Sequence, residues 1–274
     1  MILYRLDTAF QWTGAMRIFS ISLLSVLISF GVLAAEVQDV NSRGETTRLL
    51  VEQGGNPWVT VVLFAGGKGV MNISESGSIG WGRGNFLVRS RYYFQNFGAI
   101  TAVIDAPTDR RYGLHGFRST EDQAKDVGAV IKHLREEYGL PVWLIGTSRG
   151  TNSAANAALR LKSDKPDGIV LTASMLAYNP KWGGDYLLTM DLEKIKMPVL
   201  IAHHKKDACS VTPPGLVGEL KEKLINAEPV EVMWYESGSG VKGKVCQARH
   251  YHGFAGIEEE VVSDIMSWIK SQTP

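Results

Sequence analysis

The chain has 274 residues, of which 45% are hydrophobic and 21% charged, the balance of an ordinary globular protein. One core at that length buries roughly three quarters of the unfolded chain's surface, so the fold requires neither a metal nor several disulfides. Lys and Arg total 29 against 28 Asp and Glu, with no basic stretch, acidic tail, low-complexity tract or internal repeat. The sequence therefore lacks the basic patch with which nucleic-acid binders neutralise phosphates, and no nucleic-acid partner is expected.

In chain order, the first informative segment is N-terminal. Residues 1–15 read as an upstream extension, with Met16 as an alternative start. Arg17 then supplies a positive charge, Ile18 to Leu33 an apolar run, and Ala34-Ala35 a small-residue exit. This is the pattern of a signal peptide over residues 1–35, which leaves 36–274 as a single domain. The same run is nearly long enough to serve as an uncleaved anchor. Ser20, Ser22, Ser25 and Ser29 within it, together with the Ala-Ala exit, favour cleavage, and no Cys stands at the exit to carry a lipid. The expectation is a periplasmic or secreted protein without stable membrane anchoring. In that oxidising setting Cys209 and Cys246 are expected to pair. Closing the loop between them would add ~4 kcal/mol in the chain-entropy model.

Residues 36–52 alternate around Asn41-Ser42-Arg43-Gly44 and predict a hairpin at a sheet edge. Apolar strands then alternate with helices. Strands are predicted at 58–65, 99–104, 141–145, 168–172, 198–202 and 229–235, and helices at 86–97, 121–138, 154–161, 216–224 and 258–271. The 121–138 helix has the clearest signal, with Ser119-Thr120 before it and Val127, Val130, Ile131 and Leu134 on one face. Continuous apolar strands alternating with helices imply one α/β domain, a doubly wound parallel sheet covered on both faces. In such sheets ligands bind beyond the carboxyl ends of the strands.

The candidate chemistry lies at those ends. Gly146-Thr147-Ser148-Arg149-Gly150 is G-x-S-x-G between a strand and a helix, where a tight turn presents the Ser148 hydroxyl. A serine nucleophile needs a base, and the base an orienting acid. Asp207, just past the 198–202 strand, is the candidate acid and is preferred to Asp185 and Asp191. His252 is the candidate base, preferred to His250 because Gly253-Phe254 follows it at a turn. A Cys209–Cys246 bond would staple the acid loop to the base loop. Gly66-Gly67-Lys68-Gly69 follows the first long strand, so the N–H groups of Gly67 and Arg149 are the candidate oxyanion donors; one such donor is worth ~3 kcal/mol. A phosphate-binding glycine turn is the competing reading of that loop, although neither the P-loop nor the dinucleotide pattern is present. His203 and His204 belong to no zinc-type spacing, so no metal and no cofactor are expected. Arg89, Arg91, Arg110, Arg111 and Arg149 are candidates for holding an anionic substrate, and Trp81 and Trp182 for lining a cleft.

With these residues in place the chain resembles the α/β-hydrolase superfamily, and within it the small dienelactone-hydrolase-like members. The resemblance spans about residues 45–272 and rests on Gly66-Gly67, Gly146 to Gly150, Asp207 and His252-Gly253-Phe254. It implies an eight-stranded, mostly parallel sheet and acyl transfer to water through an acyl-serine. Dienelactone hydrolases proper use cysteine, so Ser148 favours carboxylic-ester substrates. The family's cap follows the sixth strand, where this chain has only about Ser174 to Lys196, which implies a minimal lid or none. A serine peptidase or an acyltransferase would use the same triad, and a non-catalytic binding protein of this fold remains the third reading; the partner expected in every enzymatic case is a small acyl compound.

Overall fold

The computed structural model describes residues 35–179, 184 and 186–273. The expected signal segment up to residue 34, and Trp182 and Asp185, lie outside the described residues. The chain enters on a hairpin, β1 (Glu36–Ser42) and β2 (Glu45–Gln53), paired from Glu36↔Val51 to Ser42↔Glu45. Its two-residue turn, Arg43-Gly44, has φ of 56° and 82°, the left-handed pair whose twist matches the flanking strands.

Six further strands follow: β3 (Val59–Phe64), β4 (Ala99–Ile104), β5 (Val142–Thr147), β6 (Gly168–Thr172), β7 (Val199–His204) and β8 (Val230–Tyr235). They form one eight-stranded sheet in the order β1-β2-β4-β3-β5-β6-β7-β8, parallel from β4 to β8 and antiparallel at the β1 and β2 edge. Successive strand residues point to opposite faces. Val62, Phe64 and Leu144 accordingly enter one core layer, whereas Val61, Leu63, Trp143 and Ile145 enter the other. The first layer is closed by α3 (Glu121–Tyr138), α4 (Gly150–Arg160) and α5 (Val217–Lys223), and the second by α1 (Phe86–Arg89), α2 (Arg91–Asn96) and α6 (Glu258–Gln272).

Thr120 caps α3, its hydroxyl accepting the Gln123 N–H at 3.2 Å. The single helix expected over 86–97 is two short helices, because Ser90, at φ −100° and ψ 7°, leaves the helical course between them. The α4 helix starts four residues earlier than expected, directly after Arg149. Gly150-Thr151-Asn152-Ser153 have weak helix propensity, and packing against the sheet overrides it. Strand β7 runs two residues past the expected end, because His203 and His204 pair in register with Trp234 and Tyr235 of β8. Between β6 and β7 the described residues form only two 3₁₀ turns, Leu187–Thr189 and Leu192–Lys194, so no helical cap stands there among them.

Candidate active site

Strand β5 and helix α4 meet at Ser148, whose φ is 53°, a left-handed value uncommon for a residue with a side chain. The turn is held from both sides. The Ser148 N–H donates to the Thr172 carbonyl at 3.0 Å, and the Ser148 carbonyl accepts from the Thr151 N–H at 3.0 Å and the Thr151 hydroxyl at 2.6 Å. Both flanking glycines are required by space. A Cβ on Gly146 would stand 2.5 Å from the Gly150 carbonyl oxygen, and one on Gly150 would stand 2.0 Å from that of Phe64. The loop after β3 passes beside this elbow, and the Trp81 ring covers Gly67 so closely that a Cβ there would lie 2.8 Å from it.

Asp207 follows β7 in a turn closed by its own N–H to the His204 carbonyl at 3.0 Å. Its carboxylate is buried and accepts from the Cys209 N–H at 3.0 Å and the Thr212 hydroxyl at 2.8 Å. His252 lies on a 3₁₀ turn, Tyr251–Gly253, with Nδ1 3.0 Å from Asp207 Oδ2. A carboxylate only accepts, so Nδ1 carries the proton and Nε2 is left with the lone pair of a base. Burial works to raise the Asp207 carboxyl, but the hydrogen bond and charge of His252, the Cys209 amide and the Thr212 hydroxyl outweigh it and hold the carboxyl below its usual range.

Two residues of this constellation carry no sequence signal. Thr212 Oγ1 donates to Asp207 and stands 3.1 Å from His252 Nδ1, touching both groups. His203 is fully buried behind the acid, with Nε2 3.0 Å from the Thr212 carbonyl and 3.8 Å from Asp207 Oδ2. A carbonyl only accepts, so Nε2 bears the proton there, and burial brings this imidazole down to about 4, leaving it neutral. The acid and base loops are joined covalently by Cys209–Cys246, with Cα atoms 4.6 Å apart. His250 makes no contact with Asp207; it lies edge-on to Tyr251 at 5.3 Å. Asp191 is paired with Lys194 on the surface.

Ser148 stands at the junction of two lobes of one cleft, of about 390 and 360 Å³, which share Gly67, Trp81, Ser148 and Cys246. His252 lines the first lobe with Gly66, Phe86 and Gln247, and Arg149 lines the second with Lys68 and His115. Of the five arginines expected near an anion, only Arg149 lines the cleft. Arg91 is engaged with Glu52, Arg110 sits over the Phe117 ring at 4.6 Å, and Arg111 donates to the Thr108 carbonyl at 3.1 Å. Arg89 instead supports the base turn, donating to the Gly253 carbonyl at 2.6 Å while pairing with Glu258 at 2.8 Å.

A mostly parallel eight-stranded sheet with a serine at the β5–α4 elbow, and no helical cap after β6 among the described residues, defines the class: an α/β serine hydrolase. Residues 108–264, more than half of the chain, match the Hydrolase_4 family model, described as serine aminopeptidase, S33, and the chain belongs to this family. Among solved structures, similar folds include an esterase from Pyrococcus furiosus (14% identity, 88% of this chain and 92% of that one, TM-score 0.65). A dienelactone hydrolase from Anabaena variabilis is similar at 12% identity, 89% and 100% coverage and TM-score 0.62. An α/β serine hydrolase without a lid from Xanthomonas campestris is similar at 14%, 88% and 96%, and 0.58. No curated protein sequence matches the chain.

Proposed function

We propose that the protein is an exported serine hydrolase that cleaves carboxylic-ester bonds through an acyl-Ser148 intermediate. The observation that carries this reading is the joint placement of Ser148, at its left-handed elbow, and His252, held through Nδ1 by buried Asp207, on the wall of one cleft. In this reading His252 Nε2 takes the Ser148 proton as Oγ bonds to the acyl carbon. The N–H groups of Gly67 and Arg149 then hold the oxyanion. The alcohol departs with the proton from His252, and water, deprotonated by the same imidazole, releases the acid and restores the hydroxyl.

The family's description raises an aminopeptidase as the second reading. An aminopeptidase must hold a substrate ammonium, which calls for a carboxylate in the cleft. Among the described residues neither lobe is lined by Asp or Glu, and one is lined by Lys68, His115 and Arg149, an environment that repels a cation. The ester reading is therefore the better supported. Hydrolysis of p-nitrophenyl acetate and butyrate by the wild type, falling by about 10³-fold or more in Ser148→Ala, is the expected result. Equal rates in the two proteins would remove Ser148 as nucleophile.

A further inference from the structure

Ester hydrolysis does not by itself require the charge that stands on the side of the cleft away from His252. The second lobe is lined by Lys68 and Arg149, and by no carboxylate among the described residues. Behind it lies Arg118, only 5% exposed, whose guanidinium donates to the Ala65 carbonyl at 2.9 Å and the Ser153 hydroxyl at 2.8 Å. Those acceptors are neutral, and among the described residues Arg118 forms no ion pair. Burial and the charge of Arg149 bring Arg118 down to about 9, which still leaves it protonated at neutral pH. A buried cation normally has a carboxylate partner, because an uncompensated one is costly.

His115 completes the arrangement as a neutral spacer. An arginine only donates, so the 2.5 Å contact from Arg149 to His115 Nδ1 puts the ring proton on Nε2. Burial, then Arg149, Arg118 and Lys68, lower the His115 pKa and keep the ring uncharged. The Leu114 N–H donates to the Lys68 carbonyl at 2.9 Å, tying the loop after β3 to the segment that carries His115 and Arg118. Gly69 leaves room for the Arg118 guanidinium, which would stand 2.2 Å from any Cβ there. Two cationic side chains, Lys68 and Arg149, thus line the same lobe as the nucleophile.

The side of the substrate that meets this charge follows from the direction of proton transfer. The departing alcohol receives its proton from His252, so it occupies the lobe lined by His252, and the acyl chain extends into the other. We infer that the acyl group ends in a carboxylate held by Lys68 and Arg149, and that the substrates are half-esters of dicarboxylic acids. This rests on the acyl-Ser148 reading and specifies its substrate class. The Ser148 Oγ–acyl bond forms as the ester C–O bond breaks and the alcohol leaves with a proton. Water then releases the diacid, and the distal carboxylate is unchanged throughout.

The test compares kcat/KM for monomethyl glutarate with methyl pentanoate, and for monomethyl adipate with methyl hexanoate, pairs that differ in a terminal carboxylate against a methyl. The half-ester is expected to be preferred by about tenfold or more in one pair. That ratio should fall about tenfold in Lys68→Met and in Arg149→Met. It should also fall as salt is raised from about 0.05 to 0.5 M. Because the ratio is taken within each protein, a general loss of activity cancels. Equal use of both members of each pair, or a ratio unmoved in both variants, overturns the inference. So does a preference for 4-acetoxybenzoate over phenyl acetate with none among the acyl pairs, since that places the anion on the alcohol side. Hydrolysis of p-nitrophenyl acetate and fluorophosphonate labelling of Ser148 are measured in parallel. If both fail, the hydrolase reading falls; if both succeed without a half-ester preference, only the dicarboxylate inference falls.

Discussion

At the scale of single residues, the Asp207–His252 pair is flanked by two buried neighbours, Thr212 and His203, that line neither lobe of the cleft. Thr212 donates to the same Asp207 oxygen that receives His252 Nδ1–H, so it fixes the carboxylate's rotation and, through it, the imidazole plane. Thr212→Val is therefore expected to lower kcat by about 10- to 100-fold with little change in KM, and Thr212→Ser to restore it. A loss that serine fails to rescue would mark a packing role instead. His203 bears on stability through pH. Its folded pKa of about 4 lies below the unfolded value of ~6.5, so the unfolded chain binds the proton first. The contribution of this group is whole above pH ~6.5 and is lost as pH falls toward about 4, amounting to on the order of 3 kcal/mol. The Tm of the wild type should drop over that window, and His203→Gln should flatten the drop; an unchanged slope would show that other groups carry it.

Elements set where these side chains meet. Strand β7 delivers Asp207 and the turn before α6 delivers His252 from 45 residues further on, so their 3.0 Å contact depends on two loops keeping a common position. The Cys209–Cys246 bond joins those loops at a sequence separation of 37 and also forms part of the cleft wall. Replacing both cysteines by serine should cost ~4 kcal/mol in the chain-entropy model, a fall in Tm of about 8–16 °C. Because the bond joins the loops that carry Asp207 and His252, kcat is expected to fall while the protein is still folded, measured well below the new Tm. Unchanged kcat would restrict the disulfide to stability. Arg89 acts similarly from another element, gripping the Gly253 carbonyl from α1 while pairing with Glu258 at the start of α6.

Over the whole molecule, β1 begins at Glu36 and pairs at once with Val51, so cleavage after residue 35 leaves the edge strand complete. The expected mature protein starts near Glu36, read by intact mass from a periplasmic or extracellular fraction. Recovery of the uncleaved chain with membranes would support the anchor reading instead. Among the described residues no helix is long and apolar enough to cross a membrane.

Residue pattern alone determined the architecture, because its signals are local. Six parallel strands could be read from β-branched apolar runs such as Val59–Phe64 and Ala99–Ile104, and the elbow from two glycines that sterics require around Ser148. Asp207 was legible as a candidate because it lies just past a strand end, where such sheets place their chemistry, and His252 because Gly253-Phe254 follows it at a turn before the last helix. Tertiary structure decided what depends on distance across the chain. It extended β7 through His203 and His204 by pairing them with β8, and it brought Thr212 between acid and base. It also placed Arg89 and Arg91 in ion pairs away from the cleft and Arg149 on the cleft wall beside His115, a division among arginines that no spacing encodes. A side chain's partner is set by the packing of remote segments, and the order of residues along one segment carries no record of it.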